Sequence, residues 1–145
     1  MAERLELEVV TPEKAVYHDF VDDVVVPGMQ GEMDILPGHL PLLAALDVGQ
    51  LTIRKDAEER HFLIDQGYAE VIDDRVTVLT EACEGVDDID IEQARQMLEE
   101  AREELTELEE VSKTEKVEEE LLEDHRLAMK RQRMRMAFAE EGPEE

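Results

Sequence analysis

GEMDILPGHLPLLAALDVGQLTI, residues 31–53, is the least water-loving stretch of a chain whose formal net charge is -25. It is punctuated by Gly31, Pro37-Gly38, Pro41 and Gly49, and it carries one histidine, His39. Such a segment in so acidic a protein serves as core, as a docking surface, or as a site built around His39. The flanking sequence decides among these.

The chain has 145 residues, which fits one compact domain or a small domain with an appendage. Hydrophobic residues make up 42%, but aromatics only 3%, with no Trp, so the core must come from Val, Ile, Leu, Ala and Met. Such a core offers few stacking platforms for bases or sugars. The 40 acidic against 15 basic residues exclude nucleic acid as a general partner, because most of the surface repels phosphate. The charge is uneven: residues 125–139 hold five cations and no acid, while residues 86–124 hold 17 acids and four cations. The general acidity reads as a solubilising surface, with a saline habitat as the alternative. A single cysteine, Cys83, excludes an internal disulfide and reads as a small buried residue. The start MAERLELEVV has charges where a signal peptide needs an apolar run. No apolar run reaches the ~18 residues of a membrane-spanning helix, so a cytosolic protein without a transmembrane segment is expected.

Residues 1–86 have the period of strands. LELEVV alternates apolar and charged residues, as a half-buried strand does. AVYHDF, VDDVVVP, LTIRK, RHFLID, YAEVID and RVTVLTEA follow, separated by turn residues. Asp73-Asp74 predicts a tight hairpin, since aspartates tolerate turn conformations. The pattern predicts an antiparallel β-sandwich or flattened barrel.

The period changes at Gly85. Ile91, Ala94, Leu98, Ala101, Leu105 and Leu108 recur at gaps of three and four, which predicts a helix with a coiled-coil seam. Asp90 and Gln93 suit a capping box at its start. Ser112 and Glu115 suggest a second such box, and Val117, Leu121, Leu122, Ala128, Met129 and Met136 a second, looser stripe to about Phe138. Residues 87–145 therefore read as an antiparallel two-helix hairpin with an acidic first helix, a basic second helix and a frayed GPEE tail. Its narrow stripes and like-charge runs make it marginally stable by itself.

Chemistry has little support. Phosphate-loop, dinucleotide, zinc-protease, Cys-pair and nucleophile-elbow motifs are all absent, and His18, His39, His61 and His125 lack metal-ligand spacing. Acid pairs such as Asp22-Asp23 and Asp73-Asp74 read as turns and solvated edges. The island RLAMKRQRMRM (126–136) has two compatible readings. It favours the macrodipole at a helix C-terminus while balancing the partner helix, or it is a charged finger that grips an acidic surface or phosphate.

The opening segment strongly resembles the epsilon subunit of F-type ATP synthases, whose mitochondrial counterpart is called delta. The family pattern G-E-x-x-I-x-P-G-H-x-P-L-L, followed by G-x-L-x-I, is met by Gly31, Glu32, Ile35, Pro37, Gly38, His39, Pro41, Leu42, Leu43, Gly49, Leu51 and Ile53. Gly67-Tyr68, Glu70-Val71 and VTVL (76–79) fit the next family strands, and the likeness runs over essentially the whole chain.

That resemblance implies a sandwich of about ten strands followed by a helical hairpin. It further implies a non-catalytic rotor subunit with no metal or cofactor, peripheral to the cytoplasmic face of a bacterial membrane, or to the stromal side of a thylakoid. The sandwich would bind the gamma subunit and face the c-ring, with Glu32, His39, Leu40, Leu42 and Leu43 at that interface. The hairpin would be mobile in such a member. Extended, it would inhibit ATP hydrolysis by meeting the alpha/beta catalytic head through Arg126, Lys130, Arg131, Arg133 and Arg135. Some members bind ATP as a regulatory ligand through an I/L-D-x-x-R-A motif. Ile89, Asp90 and Ala94 match it, and Arg131 and Arg135 resemble its second-helix arginines, but Gln93 stands where the motif has arginine. Weak or no ATP binding is expected. The rivals are an acidic chaperone or scaffold with a coiled-coil arm, and a carboxylate-based hydrolase.

Overall fold

The computed structural model describes residues 3–143. Met1 and Ala2 of the polar N-terminus, and Glu144 and Glu145 of the expected frayed tail, lie outside the described residues. The chain divides after Val86 into two compact units.

The first unit holds ten strands: β1 (Leu5–Val10), β2 (Ala15–Val21), β3 (Asp23–Gly28), β4 (Gly31–Ile35), β5 (Leu42–Leu46), β6 (Gly49–Lys55), β7 (Glu58–Ile64), β8 (Gly67–Ile72), β9 (Arg75–Thr80) and β10 (Cys83–Glu84). They pair in the order β10-β7-β6-β3-β5-β8-β9-β1-β2, with β4 on β3. The alternation of LELEVV is realised as expected: Leu5, Leu7 and Val9 are buried, and Glu6 and Glu8 point outward. Val21, Val24, Val26, Ile35, Leu46, Leu51, Ile53, Ile64, Ala69, Val71, Val76 and Val78 extend this aliphatic core, and the one aromatic ring in the buried cluster is Phe62.

Two hairpins turn through the left-handed region. Asp73 and Asp74 have φ of 48° and 62°, and Ile72 pairs directly with Arg75, so the two aspartates form a two-residue loop. Asp56 and Ala57, with φ of 52° and 65°, do the same between β6 and β7. Ala57 gives little sequence signal for such a turn. The Asp22 carboxylate, accepting from the Asp56 amide at 2.8 Å, supplies the missing support.

Four details differ from the sequence expectation. Residues 31–46, where the strand pattern marked no run, contain β4 and β5, whose short runs hide their alternation. The pairing is not wholly antiparallel: β1 lies parallel to β9. No hairpin links those two strands, so no short turn forces an antiparallel register. Cys83 is half-buried rather than buried, packed at the margin of the core in a two-residue edge strand. Asp23, read as solvated edge, is buried beside Arg54.

The second unit comprises a 3-10 turn (Val86–Asp88), α1 (Ile91–Ser112) and α2 (Glu119–Glu141). Asp90 caps α1, its carboxylate accepting from the Gln93 amide at 3.1 Å. The expected second capping box fails. Ser112 remains helical, its hydroxyl donating to the Glu109 carbonyl at 2.6 Å, and backbone bonds from Lys113, Thr114 and Glu115 tighten the last turn of α1. The second helix starts later, with Glu118 at the N-cap and no side-chain capping bond. The helices are antiparallel: Arg95 near the start of α1 pairs with Glu140 near the end of α2 at 3.3 Å. Ala94, Ala101 and Leu105 meet Leu122, Gln132, Arg135 and Phe138 as the buried residues of the pair. The stripe predicted for α2 is therefore wrong in part: Leu121 is exposed, and two polar residues take seam positions.

Candidate docking surface and helical arm

The loop between β4 and β5 presents the apolar residues of the opening segment. Gly38 (φ 86°) turns the chain, and its amide donates to the Asp74 carboxylate at 2.7 Å. The His39 amide donates to the Leu36 carbonyl at 3.2 Å, and the His39 ring Nδ1 lies 2.7 Å from the Leu40 carbonyl, so the imidazole braces the loop. The loop is thereby held without burying its leucines. Leu40 is 78% exposed and Leu43 68%, with Leu36 and Met29 also exposed. Ile35, at the loop end of β4, and Leu46, at the far end of β5, are fully in the core. The segment divides its apolar content between packing and presentation. Glu32, Leu42 and Leu43 line one depression of about 460 Å³ with Met29, Met33 and Ala45. His39 and Leu40 belong to the adjoining loop rather than to that depression.

A second apolar surface escaped the sequence reading. Ala45, Tyr68, Leu79 and Val10 stand side by side across β5, β8, β9 and β1, through the pairings Ala45–Tyr68, Tyr68–Leu79 and Leu79–Val10. Tyr68 and Leu79 are about half exposed, and Ile72 is exposed nearby. A depression of about 310 Å³ adjoins the row beside Pro12 and Thr80. The signal was present as a phase error. In YAEVI and RVTVLT the core positions are Ala69, Val71, Val76 and Val78, so Tyr68, Ile72 and Leu79 are apolar residues at solvent-facing positions.

On the helical arm the five cations have different surroundings. Arg126 is exposed and pairs with Glu123 and, at 3.2 Å, with Glu119, and these carboxylates hold its pKa above the ordinary arginine value. Lys130 and Arg133 are exposed, Arg131 is half-buried and Arg135 is buried. The Arg135 guanidinium donates to the Gln132 side-chain carbonyl at 2.8 Å and lies 3.7 Å from the Met97 sulfur. The macrodipole reading of the island fails, because α2 runs on to Glu141 and its last turn contains Glu140 and no cation. Ile89 and Ala94 are buried, and the Asp90 carboxylate is engaged as the α1 cap. Arg135 lies beside Met97, one turn from Ala94, with its guanidinium turned into the seam. Among the described residues, no cluster of three or more His, Cys, Asp or Glu could hold a metal ion, and no helix is long and apolar enough to cross a membrane.

Residues 4–86 match the family described as ATP synthase, Delta/Epsilon chain, beta-sandwich domain. The ATP synthase epsilon chain of Geotalea uraniireducens is 42% identical over 123 residues, covering 85% of this chain and 89% of that one. The ATP synthase epsilon chain of Citrifermentans bemidjiense is 46% identical over 105 residues, covering 72% and 76%. Among solved structures, a chain of the mitochondrial ATP synthase of Euglena gracilis superposes with a TM-score of 0.69 at 22% identity, over 90% of this chain and 78% of that one. A chain of the central stalk and c-ring of the Tetrahymena thermophila mitochondrial ATP synthase gives 0.52 at 19% identity, over 60% and 70%. At these identities the two structural likenesses speak to the fold.

Proposed function

The chain belongs to the family of ATP synthase delta/epsilon chains, and from that premise we propose that it is a non-catalytic rotor subunit of a bacterial-type F-type ATP synthase. Its sandwich couples gamma to the c-ring, and its helical hairpin restrains ATP hydrolysis. The observation that carries this reading is the braced loop of residues 36–41, which holds Leu40 almost fully in solvent on a chain otherwise dominated by acids. Exposed leucines on a rigid loop lose little conformational entropy on docking, so their burial converts efficiently into affinity. Glu32, His39, Leu40, Leu42 and Leu43 form this contact toward the c-ring end. The row from Val10 to Ala45 offers the sandwich a second apolar contact, suited to gamma. The protein then sits at the cytoplasmic face of the membrane through its partners.

For the arm, Arg126, Lys130, Arg131, Arg133 and Arg135 supply the contacts to acidic surfaces of the catalytic head. Arg135 has to leave its seam for this, so opening of the hairpin precedes its contact. Regulatory ATP binds weakly or not at all: Gln93 is uncharged, and Asp90 and Arg135 are committed within the folded hairpin. Calorimetric titration checks this, and micromolar affinity would refute it. The function is tested by titrating the full chain, and a truncation ending at Val86, into the cognate catalytic head while following ATP hydrolysis. Both should join a complex containing gamma, and only the full chain should slow hydrolysis. Failure of the truncation to bind gamma overturns the division of labour.

A further inference from the structure

The seam of the helical hairpin sets an oxidisable sulfur against a buried cation. On α1, Met97 follows Ala94 by three residues and precedes Ala101 by four, so it shares the face that those two buried alanines turn to α2. It sits at the margin of that face. Met97 is 39% exposed, whereas Met129, Met134 and Met136 of α2 are half-buried. Across the seam Arg135 is 9% exposed. One of its guanidinium nitrogens, Nη1, donates to Gln132 at 2.8 Å and lies 3.7 Å from the Met97 sulfur.

A thioether sulfur is a weak acceptor, so this contact gives the guanidinium little. Oxidation changes that. The sulfur lone pair attacks one oxygen of hydrogen peroxide, and a sulfur–oxygen bond forms as the oxygen–oxygen bond breaks. The new S–OH group passes its proton to the departing hydroxide, which leaves as water. The sulfur gives up two electrons and the peroxide takes them. The product is a sulfoxide, a polar group that reductases return to the thioether. In apolar packing a sulfoxide is disruptive. At Met97 the sulfoxide oxygen has water on one side and Arg135 on the other, so it is not buried without a partner. Arg135 is largely out of water, where a bond from a charged donor is of the stronger kind. Rotation about the unbranched methionine side chain lets the oxygen of either epimer turn to Nη1.

We propose that Met97 is an oxidation site and that its sulfoxide oxygen accepts from Arg135, latching α1 to α2 so that the hairpin opens less often. The latch involves only the two helices. Its consequence rests on the rotor reading: a hairpin held shut keeps Arg135 from the catalytic head, so peroxide relieves the restraint on hydrolysis.

The test treats the full chain with hydrogen peroxide and locates added oxygen by peptide mass spectrometry. Met97 should oxidise before Met129, Met134 and Met136. Amide exchange at the buried α1 positions Ala101 and Leu105 is then followed in a chain carrying Met129→Leu, Met134→Leu and Met136→Leu, which confines helical oxidation to Met97. Peroxide should slow that exchange by roughly tenfold, the worth of one bond from a charged donor. The slowing should vanish in Met97→Leu and in the double variant Arg135→Leu, Gln132→Leu. If the leucine background does not fold, Met97→Gln in the natural chain replaces it, because the glutamine carbonyl offers Arg135 an acceptor without peroxide, and should slow exchange likewise. Met97 staying reduced while the α2 methionines oxidise, exchange unchanged or faster in the oxidised or glutamine form, or slowing that survives loss of Arg135 overturns the proposal. Slowed exchange with unchanged hydrolysis by the catalytic head upholds the latch and counts against the rotor reading of the arm instead.

Discussion

The Arg135 guanidinium donates to the side-chain carbonyl of Gln132 inside the seam of the helical hairpin, one turn of α2 apart at 2.8 Å. A cation at a position that a leucine would fill makes closure of the hairpin less favourable than its length suggests. Arg135→Ala removes Gln132's donor and should destabilise the hairpin by about 1–3 kcal/mol. The double variant Arg135→Met, Gln132→Leu should be neutral or stabilising by about 1–4 kcal/mol, as for other buried charged groups exchanged for apolar ones. Urea unfolding followed by far-UV circular dichroism measures both.

The start of the same hairpin depends on a single cap. Replacing Asp90 by alanine leaves the Gln93 amide without its acceptor and should cost about 1 kcal/mol of hairpin stability. The same unfolding experiment reads this, and no change would assign the helix start to packing of Ile89 and Ala94 instead.

Glycine 67 is required by a close approach between strands. A Cβ there would sit 1.8 Å from the Leu79 carbonyl oxygen, so Gly67→Ala should destabilise the sandwich by more than about 3 kcal/mol. Gly38→Ala meets no atom within 4 Å and bears only the strain of its φ of 86°, about 1 kcal/mol. Thermal unfolding of the two variants should therefore separate clearly.

Acid should weaken the sandwich through two surface pairs. The hydrogen bond from His18, then the Arg75 charge, hold Glu6 below its ordinary value, and Lys55 does the same for Asp19. A carboxyl lowered on folding contributes stability above its unfolded value, and that contribution is lost as pH falls through the folded value. Asp34 has the opposite sign, its carboxyl pushed up to about 6 by burial and then by Asp23. The folded state holds more protons between about 4 and 6, so its contribution grows as pH falls through that window. The melting temperature should pass through a maximum in the mildly acidic range. Asp34→Asn should flatten the neutral side of that curve, and Glu6→Gln with Asp19→Asn the acid side.

The exposed leucines of the loop and of β5 should separate docking from stability. Leu40→Asp and Leu43→Asp replace side chains already in water, so melting should change little. Binding to a gamma and c-ring complex should fall by tenfold or more, read by co-sedimentation or surface-immobilised titration. Equal binding would remove these leucines from the interface.

The change of period at Gly85, the buried side of β1, the Asp73-Asp74 hairpin and the Asp90 cap are legible along the chain, because each is written in residues next to or a few positions from one another. The apolar content of residues 31–53 and the basic island of α2 are legible there too. How those are used depends on which strands become neighbours and how the helices are rotated. Leu40 and Leu43 are presented while Ile35 and Leu46 are buried, because the pairing of β4 with β3 and of β5 with β8 fixes which side of each strand faces the core, and the Asp74 carboxylate holds the loop between them at the Gly38 amide. Arg135 faces a seam and Arg133 faces water because the helix rotation is set by the packing of Ala94, Ala101 and Phe138, not by charge. Strand register alone gives Asp23 and Asp34, carboxylates 11 positions apart, one shared cation in Arg54. Local sequence sets local geometry, whereas a shared charge or a shared surface depends on which strands become neighbours.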